Sequence, residues 1–345
     1  MHSFVALSFD SFSERHLFYG SATEPTYMKA AVMPQDRKKS AILALLVAAV
    51  CWSFAGIFVH YLSRHLSIIT QSTYRYFFAS LSLFIISFKW FPKETLGFSR
   101  QAFAWVLLAA FCGLSFQLAW VKSLYLIQPG ATSLLGKAGT VLNVMILSLF
   151  FVEERRVAKK RLFLLSTLIM LMGTLLFILF PIGGFHLDFK GTFLKGAFFV
   201  LLSTVFWGFY SSSVKKLLDY TNAITGMAFV ALFISLYHAV LGLCVGDLTE
   251  VFRAPRWIFG LLAFSGVLSI AVTHALYYTA VSRIGVVLSN NIVLLDSLFS
   301  CTLSYFIFHE RLTLLQIAGG GLLILGGYLT TRVEYGAEKG GEISV

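Results

Sequence analysis

Two oppositely charged side chains lie deep inside long apolar stretches of this sequence. Lys137 lies in ATSLLGKAGTVLNVMILSLFF and Asp296 lies in NIVLLDSLFSCTLSYFIF. Each stretch has about 20 residues, which is long enough to cross a bilayer as a helix. Because hydrocarbon penalises an isolated charge, such groups face a partner or a water-filled cavity. The two residues therefore predict either a static ion pair or a polar site that binds a ligand or carries a proton.

Further polar side chains accompany the two charges. Thr140 and Asn143 follow Lys137 by three and six positions, so the three side chains share one helix face. In the other stretch, Asn291 lies five positions before Asp296. These residues predict the lining of a substrate path. The alternative interpretation is a packing face on which small and polar side chains let helices approach closely.

Arg75 is a third charge inside an apolar stretch. It lies about eight residues from the end of that stretch, which is roughly 12 Å of helix at about 1.5 Å per residue. A guanidinium there is suited to bind a substrate carboxylate or phosphate through two parallel hydrogen bonds. Helix packing is the alternative.

Aromatic side chains form a second kind of candidate. Trp52, Trp207 and Tyr210 lie in two apolar stretches that correspond to each other in the repeat described below. We predict that the two indoles face each other across the substrate cavity and hold an aromatic ring or a cation. Core or lipid packing, which explains most membrane tryptophans, is the alternative.

Two smaller polar groups complete the predicted substrate site. Hydroxyl residues recur every fourth position in one apolar stretch, and a polar patch lies in another; the candidates are Ser269, Thr273, Tyr277, Gln117 and Trp120. His274 adjoins the hydroxyl series and is a candidate for proton coupling together with Lys137 and Asp296, because imidazole titrates near neutral pH. A histidine hydrogen-bonded to its neighbours is the alternative.

The composition requires a membrane protein around these residues. Hydrophobic residues make up 58 % of the 345 residues and charged residues 12 %, which excludes an ordinary soluble domain. Segmentation predicts an all-α integral membrane protein with ten spans, at roughly 40–60, 67–88, 102–121, 130–151, 161–180, 192–212, 222–245, 257–279, 285–308 and 313–331. The connections are short and leave no room for a soluble catalytic module.

The net charge of +11 is distributed as membrane topology requires. Lys and Arg are more than twice as frequent in the connections on the side of both termini as in those on the opposite side. This bias predicts cytoplasmic N- and C-termini in a cell inner membrane. The basic residues are scattered among short connections and form no continuous surface, so nucleic acid is not an expected partner.

Several familiar catalytic and metal-binding patterns are missing from the sequence. The four cysteines have no paired spacing, and His309-Glu310-Arg311-Leu312-Thr313 lacks the second histidine of a zinc-protease motif. The chain contains no Walker motif, which excludes ATP hydrolysis by this chain. We therefore predict no enzyme activity, no cofactor and no metal site.

An internal repeat relates the two halves of the chain. At an offset of 155 residues, Trp52 aligns with Trp207 and Gly130 aligns with Gly285, and each glycine opens an apolar stretch that ends in an acidic-basic corner. With five spans per half, the second copy enters the membrane in the opposite direction. Inverted-topology repeats of this kind are typical of secondary transporters, whose sites lie near the bilayer midplane.

These residues carry a family resemblance. Trp52 and Trp207, the phrase YxxAVSRIGVVLSNN from Tyr277, and Glu310-Arg311-Leu312-Thr313 followed by Gln316, Gly319 and Gly326 resemble carriers of the drug/metabolite transporter superfamily with two tandem EamA-type domains. The predicted segments are a poorly ordered extension at 1–39 (with Met28 or Met33 as an alternative start), repeats at 40–180 and 192–331, a connecting loop at 181–191 and a tail at 332–345.

The resemblance implies a function together with the residues above. We expect alternating-access transport of a small polar metabolite, amino-acid-like or S-adenosylmethionine-like, that carries both an anionic and a cationic group. A flippase of a lipid-linked compound and a multidrug exporter are the alternatives, since the resemblance does not define the substrate. The expected partners are the substrate, the bilayer and a coupling proton or counter-substrate, and the expected assembly is a monomer or homodimer.

Overall fold

The computed structural model describes residues 35–139, 142, 145–146, 159–180, 191–284, 289 and 292–340, in which every regular element is helical. The elements are α1 (Gln35–Leu62), α2 (Ile68–Trp90), α3 (Pro92–Leu96), α4 (Arg100–Leu124), α5 (Pro129–Gly136), α6 (Arg161–Leu179), α7 (Thr192–Leu217), α8 (Ala223–Val245), α9 (Glu250–Arg253), α10 (Arg256–Gly266), a π-helical segment (Val267–Val272), α11 (Thr273–Ile284), α12 (Leu295–Phe308) and α13 (Leu314–Gly340).

The helices have the dimensions of membrane spans. Among the described residues, six helices are long and apolar enough to cross a bilayer: Lys38–Leu62, Arg100–Leu124, Arg161–Leu179, Thr192–Leu217, Ala223–Val245 and the continuous run Arg256–Ala280. Leu295–Phe308 and Leu314–Leu329 are shorter apolar helices. The helix α2 has 23 residues, but its first two turns carry several buried polar side chains. The prediction of an all-α multi-pass membrane protein is confirmed.

The helix boundaries repeat with the offset found in the sequence. Ser67 caps the start of α2 by accepting a hydrogen bond from the backbone N–H of Thr70. Asn222, 155 positions later, caps the start of α8 in the same way through Thr225. Both side chains satisfy an N–H that a helix start otherwise leaves unpaired. The two copies of the repeat therefore begin corresponding helices at corresponding residues.

The two halves also hold each other's helix starts. The carboxylate of Glu250, in the short helix after α8, accepts hydrogen bonds from the backbone N–H of Ser67 at 2.7 Å and from its hydroxyl. Reciprocally, the carboxylate of Glu94, in the short helix after α2, accepts from the side-chain amide of Asn222. We call these two contacts the reciprocal clasps. They lie at opposite ends of the bundle, because α2 and α8 start at opposite ends.

The most extensive packing joins helices of different halves. The pairs are α4 with α7, α6 with α13, and α2 with α8. A β-carbon added to Gly173 on α6 would lie 2.7 Å from the carbonyl oxygen of Gly319 on α13, so the two backbones touch there. Small residues permit such close approach in membranes, where packing rather than hydrophobicity drives helix association. Gly319 of α13 therefore serves helix packing.

Candidate functional site

Lys137 and Asp296 form the ion pair that the sequence suggested. The Lys137 Nζ lies 2.5 Å from the Asp296 Oδ1. The two side chains are 14 % and 18 % exposed, so the pair is largely buried but can still be reached from outside the packed helices. An ion pair of this kind removes most of the penalty of placing either charge alone at membrane depth.

Both charges lie where a helix is interrupted. The helix α5 ends at Gly136, and the N–H groups of Lys137 and Ala138 bond three residues back, to the carbonyls of Leu134 and Leu135. Asp296 lies in the first turn of α12, directly after a turn at Leu294. These interruptions occupy nearly corresponding places in the two repeats, as in the discontinuous helices of secondary transporters.

The helix ends favour the charges that they carry. The C-terminal end of a helix has a partial negative charge, which stabilises the ammonium of Lys137 beyond α5. The N-terminal end has a partial positive charge, which stabilises the carboxylate of Asp296 in the first turn of α12. Each half of the pair is thus held by a backbone dipole as well as by its partner.

Polar contacts join α5 to α12 between the ion pair and one end of the bundle. The hydroxyl of Ser133 donates to that of Ser297 at 3.3 Å, and the hydroxyl of Ser300 donates to the carbonyl of Pro129 at 3.4 Å. At the end itself, the Glu310 carboxylate accepts from the N–H groups of Gly130 and Ala131 at 2.9 and 2.8 Å. We call this last contact the Glu310 clamp.

The sequence marked Glu310 as a helix corner without giving its partner. The start of α5 lacks a side-chain cap from its own chain neighbour, since Gln128 makes no capping hydrogen bond. The carboxylate of Glu310 fills this role from the other half of the protein, and the hydroxyl of Ser304 also donates to it. The Pro129-Gly130 helix start of the first half and the Glu310-Arg311 corner of the second half were the available signal.

Arg75 is fully buried between α2 and the π-helical segment. Its side chain is 1 % exposed, and its Nε and Nη2 donate to the hydroxyls of Ser265 at 3.2 Å and Ser269 at 2.9 Å. No described carboxylate pairs with it. The structure therefore joins two predicted site residues, Arg75 and Ser269, to each other. Binding of a substrate anion by Arg75 stays a prediction.

The predicted aromatic residues form two separate clusters. The Trp52 ring lies 5.7 Å from that of His274 and 5.1 Å from that of Tyr277, between α1 and α11. The Trp207 ring lies 5.2 Å from that of Tyr210 on the same helix. Among the described ring pairs, Trp52 and Trp207 do not contact each other. These ring contacts do not test the predicted arrangement of the two indoles across a cavity, which stays a prediction.

The remaining candidates occupy the helices around these clusters. Phe116 links Trp207, at 5.0 Å, to Trp120, at 6.2 Å. The hydroxyl of Thr273 donates to the carbonyl of Leu268, and a ring nitrogen of His274 bonds the carbonyl of Ile270 at 2.8 Å. The alternative interpretation of His274, a histidine bonded to its neighbours, thus describes this structure.

Gln117 is buried on α4 and interacts with the hydroxyl of Tyr76 on α2. It therefore lies at the contact between these two helices. Three other candidates, Thr140, Asn143 and Asn291, lie outside the described residues, as does the N-terminal extension before residue 35.

Comparisons with known proteins agree with this architecture. No curated protein matches the chain. A solved crystal structure is similar to 85 % of this chain and 98 % of its own length, with a TM-score of 0.60 and 14 % identity, which shows a shared fold. The model of the EamA-like transporter family matches residues 39–180 and 194–332 in tandem. The chain therefore belongs to the EamA-like transporter family, a family of membrane transporters of small molecules.

Proposed function

We propose that this protein is a secondary-active carrier that moves a small polar organic metabolite by alternating access. The observation that carries the proposal is the Lys137–Asp296 ion pair at two interrupted helices from different halves. A substrate with one anionic and one cationic group, such as an amino acid or a sulfonium nucleoside, matches both charges of the pair. The ammonium would bind the anionic group and the carboxylate the cationic group.

The exchange of partners links binding to movement. Without substrate, the ion pair holds α5 and α12 together and avoids two unpaired charges in an apolar environment. A zwitterionic substrate compensates both charges, so the two helices can separate without an electrostatic penalty. A substrate with only one charge leaves the other unpaired, and a coupling proton or counter-substrate would then have to compensate it.

The neighbouring helices provide further contacts for such a substrate. The helix α1 packs against both α11 and α12, which places the Trp52 cluster beside the element that carries Asp296. We propose that Trp52 and Tyr277 contact an organic cation or ring. Arg75 would bind an anionic group once it exchanges the hydroxyls of Ser265 and Ser269 for it.

The Glu310 clamp gives the proposed cycle a closed gate. It joins the start of α5 to the residue that follows α12, beyond the ion pair. Opening this end requires that Glu310 release two backbone N–H groups. With the proposed orientation, in which both termini are cytoplasmic in an inner membrane, this gate faces away from the cytoplasm.

Purified protein tests this function in two steps. A thermal-shift screen against amino acids, nucleosides, vitamins and cationic drugs first identifies a stabilising ligand. Uptake of that ligand is then measured in liposomes with wild type and with Lys137→Met/Asp296→Asn. Replacing both members of a buried pair with neutral residues is often neutral for stability, so the double variant is expected to fold and to lose uptake. Full uptake would refute the role of the pair.

A charge-swapped control separates a structural pair from a substrate site. The variant Lys137→Asp/Asp296→Lys keeps one charge of each sign but places each beside the unfavourable helix end. If the pair merely joined the helices, partial uptake would return. We expect no uptake, because the two protein charges that bind the substrate would have exchanged positions.

A lateral groove keeps the flippase alternative as a second candidate. The groove opens between α2, α4 and α7 and has a volume of about 770 Å³. A flippase must pass a polar headgroup through the protein. The described lining of the groove contains neither member of the ion pair, so the groove alone does not provide that polar path. Movement of a labelled lipid between leaflets of proteoliposomes, sensitive to the Lys137→Met/Asp296→Asn variant, would favour a flippase over the metabolite carrier.

A further inference from the structure

The lateral groove lies at one end of the bundle, which we call the distal end because α1 ends there at Leu62. Its lining comes from the last turns of α4, the first half of α7 and the start of α2. The residues are Ser67, Ile68, Ile69, Ser115, Leu118, Ala119, Lys122, Tyr125, Phe199, Leu202 and Phe206. The groove is therefore apolar along its length, with one lysine at its distal end.

Helical spacing shows that the groove faces the bilayer. Its α4 wall continues at helical intervals from Phe111, which is 59 % exposed, through Ser115 and Leu118 to Lys122. The opposite, buried face of α4 carries Gln117. A groove on the exposed face of a membrane helix is filled by lipid hydrocarbon, since water is absent at that depth.

Two lysines flank the distal end of the groove, one on each wall. Lys122 lies two residues before the end of α4. Lys195 lies three residues after the start of α7 and one helical turn before Phe199, so it continues the stripe of Phe199, Leu202 and Phe206. Neither forms an ion pair with another described residue. Glu250, the acidic residue of α9, is already bonded to the backbone N–H and hydroxyl of Ser67.

An apolar groove and two lysines at its headgroup end match the chemistry of one kind of molecule. An acyl chain gains little by moving from bilayer hydrocarbon into an apolar groove, so selectivity must come from the headgroup. A phosphate at the membrane surface is attracted by each nearby lysine. We infer that the groove binds an anionic phospholipid of the distal leaflet, with its acyl chain along α4 and α7 and its phosphate between Lys122 and Lys195.

This lipid is a ligand separate from the transported substrate, and the inference does not depend on the proposed function. The lipid would occupy the groove between α4 and α7, which are the most extensively packed helix pair. It would therefore stabilise the contact between the two halves. A lipid seated there increases thermal stability through binding to the folded state.

Native mass spectrometry of the full-length protein tests the inference. Protein in mild detergent is mixed with phosphatidylglycerol and phosphatidylcholine of identical acyl chains, and the bound lipid is counted. We expect at least fivefold preference for phosphatidylglycerol, and about fivefold weaker retention in Lys122→Gln and in Lys195→Gln, as about 1 kcal/mol per lysine predicts. The exposed Lys159, before α6, gives the control variant Lys159→Gln, which should bind as wild type does.

A second variant tests the apolar part. Leu202→Trp fills the groove without changing charge and should reduce retention of both lipids. Equal binding of the two lipids, or retention unchanged by both lysine substitutions, would overturn the inference. So would a homodimer in which a second copy of the chain covers the groove, detected as cross-linking between cysteines introduced at Phe111 and Phe198.

Discussion

At the scale of single residues, the charged side chains of Lys137, Asp296 and Arg75 differ in their partners. Lys137 and Asp296 neutralise each other at 2.5 Å and remain partly exposed. Arg75 is fully buried and bonded to two neutral hydroxyls. Hydroxyl groups solvate a guanidinium without cancelling its charge, so Arg75 remains attractive to an anion. The ion pair is suited to exchange partners, and Arg75 is suited to gain one.

This difference predicts the result of two substitutions near Arg75. Arg75→Lys keeps the charge but loses the planar fork, so KM for a carboxylated substrate should rise at least tenfold. Ser269→Ala removes one hydroxyl partner and leaves the guanidinium intact, so it should change KM less than about threefold. Uptake kinetics in proteoliposomes measure both. Equal effects of the two variants would assign Arg75 to helix packing.

Some contacts of the site could be predicted from the sequence, and others could not. The ion pair was predictable, because depth in an apolar stretch and the repeat offset depend on position along the chain alone. The ring partners of Trp52 and Trp207 were not, because they depend on the rotation and tilt of α1 and α7. The partner of Glu310 was hidden for a similar reason: the 180 residues between Glu310 and Gly130 carry no local signal of contact.

At the scale of elements, helix packing depends on positions where a side chain has no room. The contact of α6 with α13 brings Gly173 against the backbone of Gly319. Because the nearest atoms belong to backbone, neither helix can accommodate a larger residue by a rotamer change. This contact fixes the last helix of one half on the last helix of the other.

A pair of glycine substitutions tests this element. Gly173→Leu should separate α6 from α13 and lower the stability of the protein by several kcal/mol, about the cost of overpacking a core. Gly321→Ala is the matched control, since a β-carbon at Gly321 meets no atom within 4 Å. Thermal unfolding in detergent should show a large loss for the first variant and little change for the second. Equal melting temperatures would contradict the close contact.

Most helix ends were predicted within about five residues, but α13 continues to Gly340, beyond the predicted end at 331, and the helix irregularities were missed. The predicted span 257–279 runs as α10, a π-helical segment and α11 in the structure. Ser265 near the end of α10 and Ser269 in the π-helical segment both bond to Arg75, and a β-carbon at Gly266 would lie 2.3 Å from the carbonyl oxygen of Arg75. The sequence showed the regular spacing of the hydroxyls but carried no local signal of the π-helical segment.

At the scale of the whole molecule, the distal end is closed by contacts between the halves. The Glu310 clamp and the Glu250–Ser67 clasp both lie there. Only the first joins the helices that carry the ion pair. In the proposed cycle, the clamp is therefore the contact that must break for the distal end to open, whereas the clasps would persist.

A native cysteine reports on this opening. Cys301 lies on α12, half-buried, with its sulfur 3.6 Å from the carbonyl of Gly130. Glu310→Ala removes the acceptor for two N–H groups and should raise the labelling rate of Cys301 by a membrane-impermeant maleimide about tenfold. Cys51, Cys112 and Cys244 are replaced by serine or alanine in both proteins. Unchanged labelling, or uptake unaffected by Glu310→Ala, would remove the clamp from the transport cycle.

The reciprocal clasps have a consequence for how the chain is made. Ser67 receives its carboxylate partner from Glu250, 183 residues later in the chain. At a synthesis rate of roughly 5–20 residues per second, this partner emerges roughly 10–40 s after Ser67 does. During that interval the first half sits in the membrane with one helix start incompletely bonded, and translation of the second half completes it. The Ser67 helix start of the first half therefore stays incompletely bonded until synthesis reaches Glu250, whereas Asn222 of the second half finds its partner Glu94 already made.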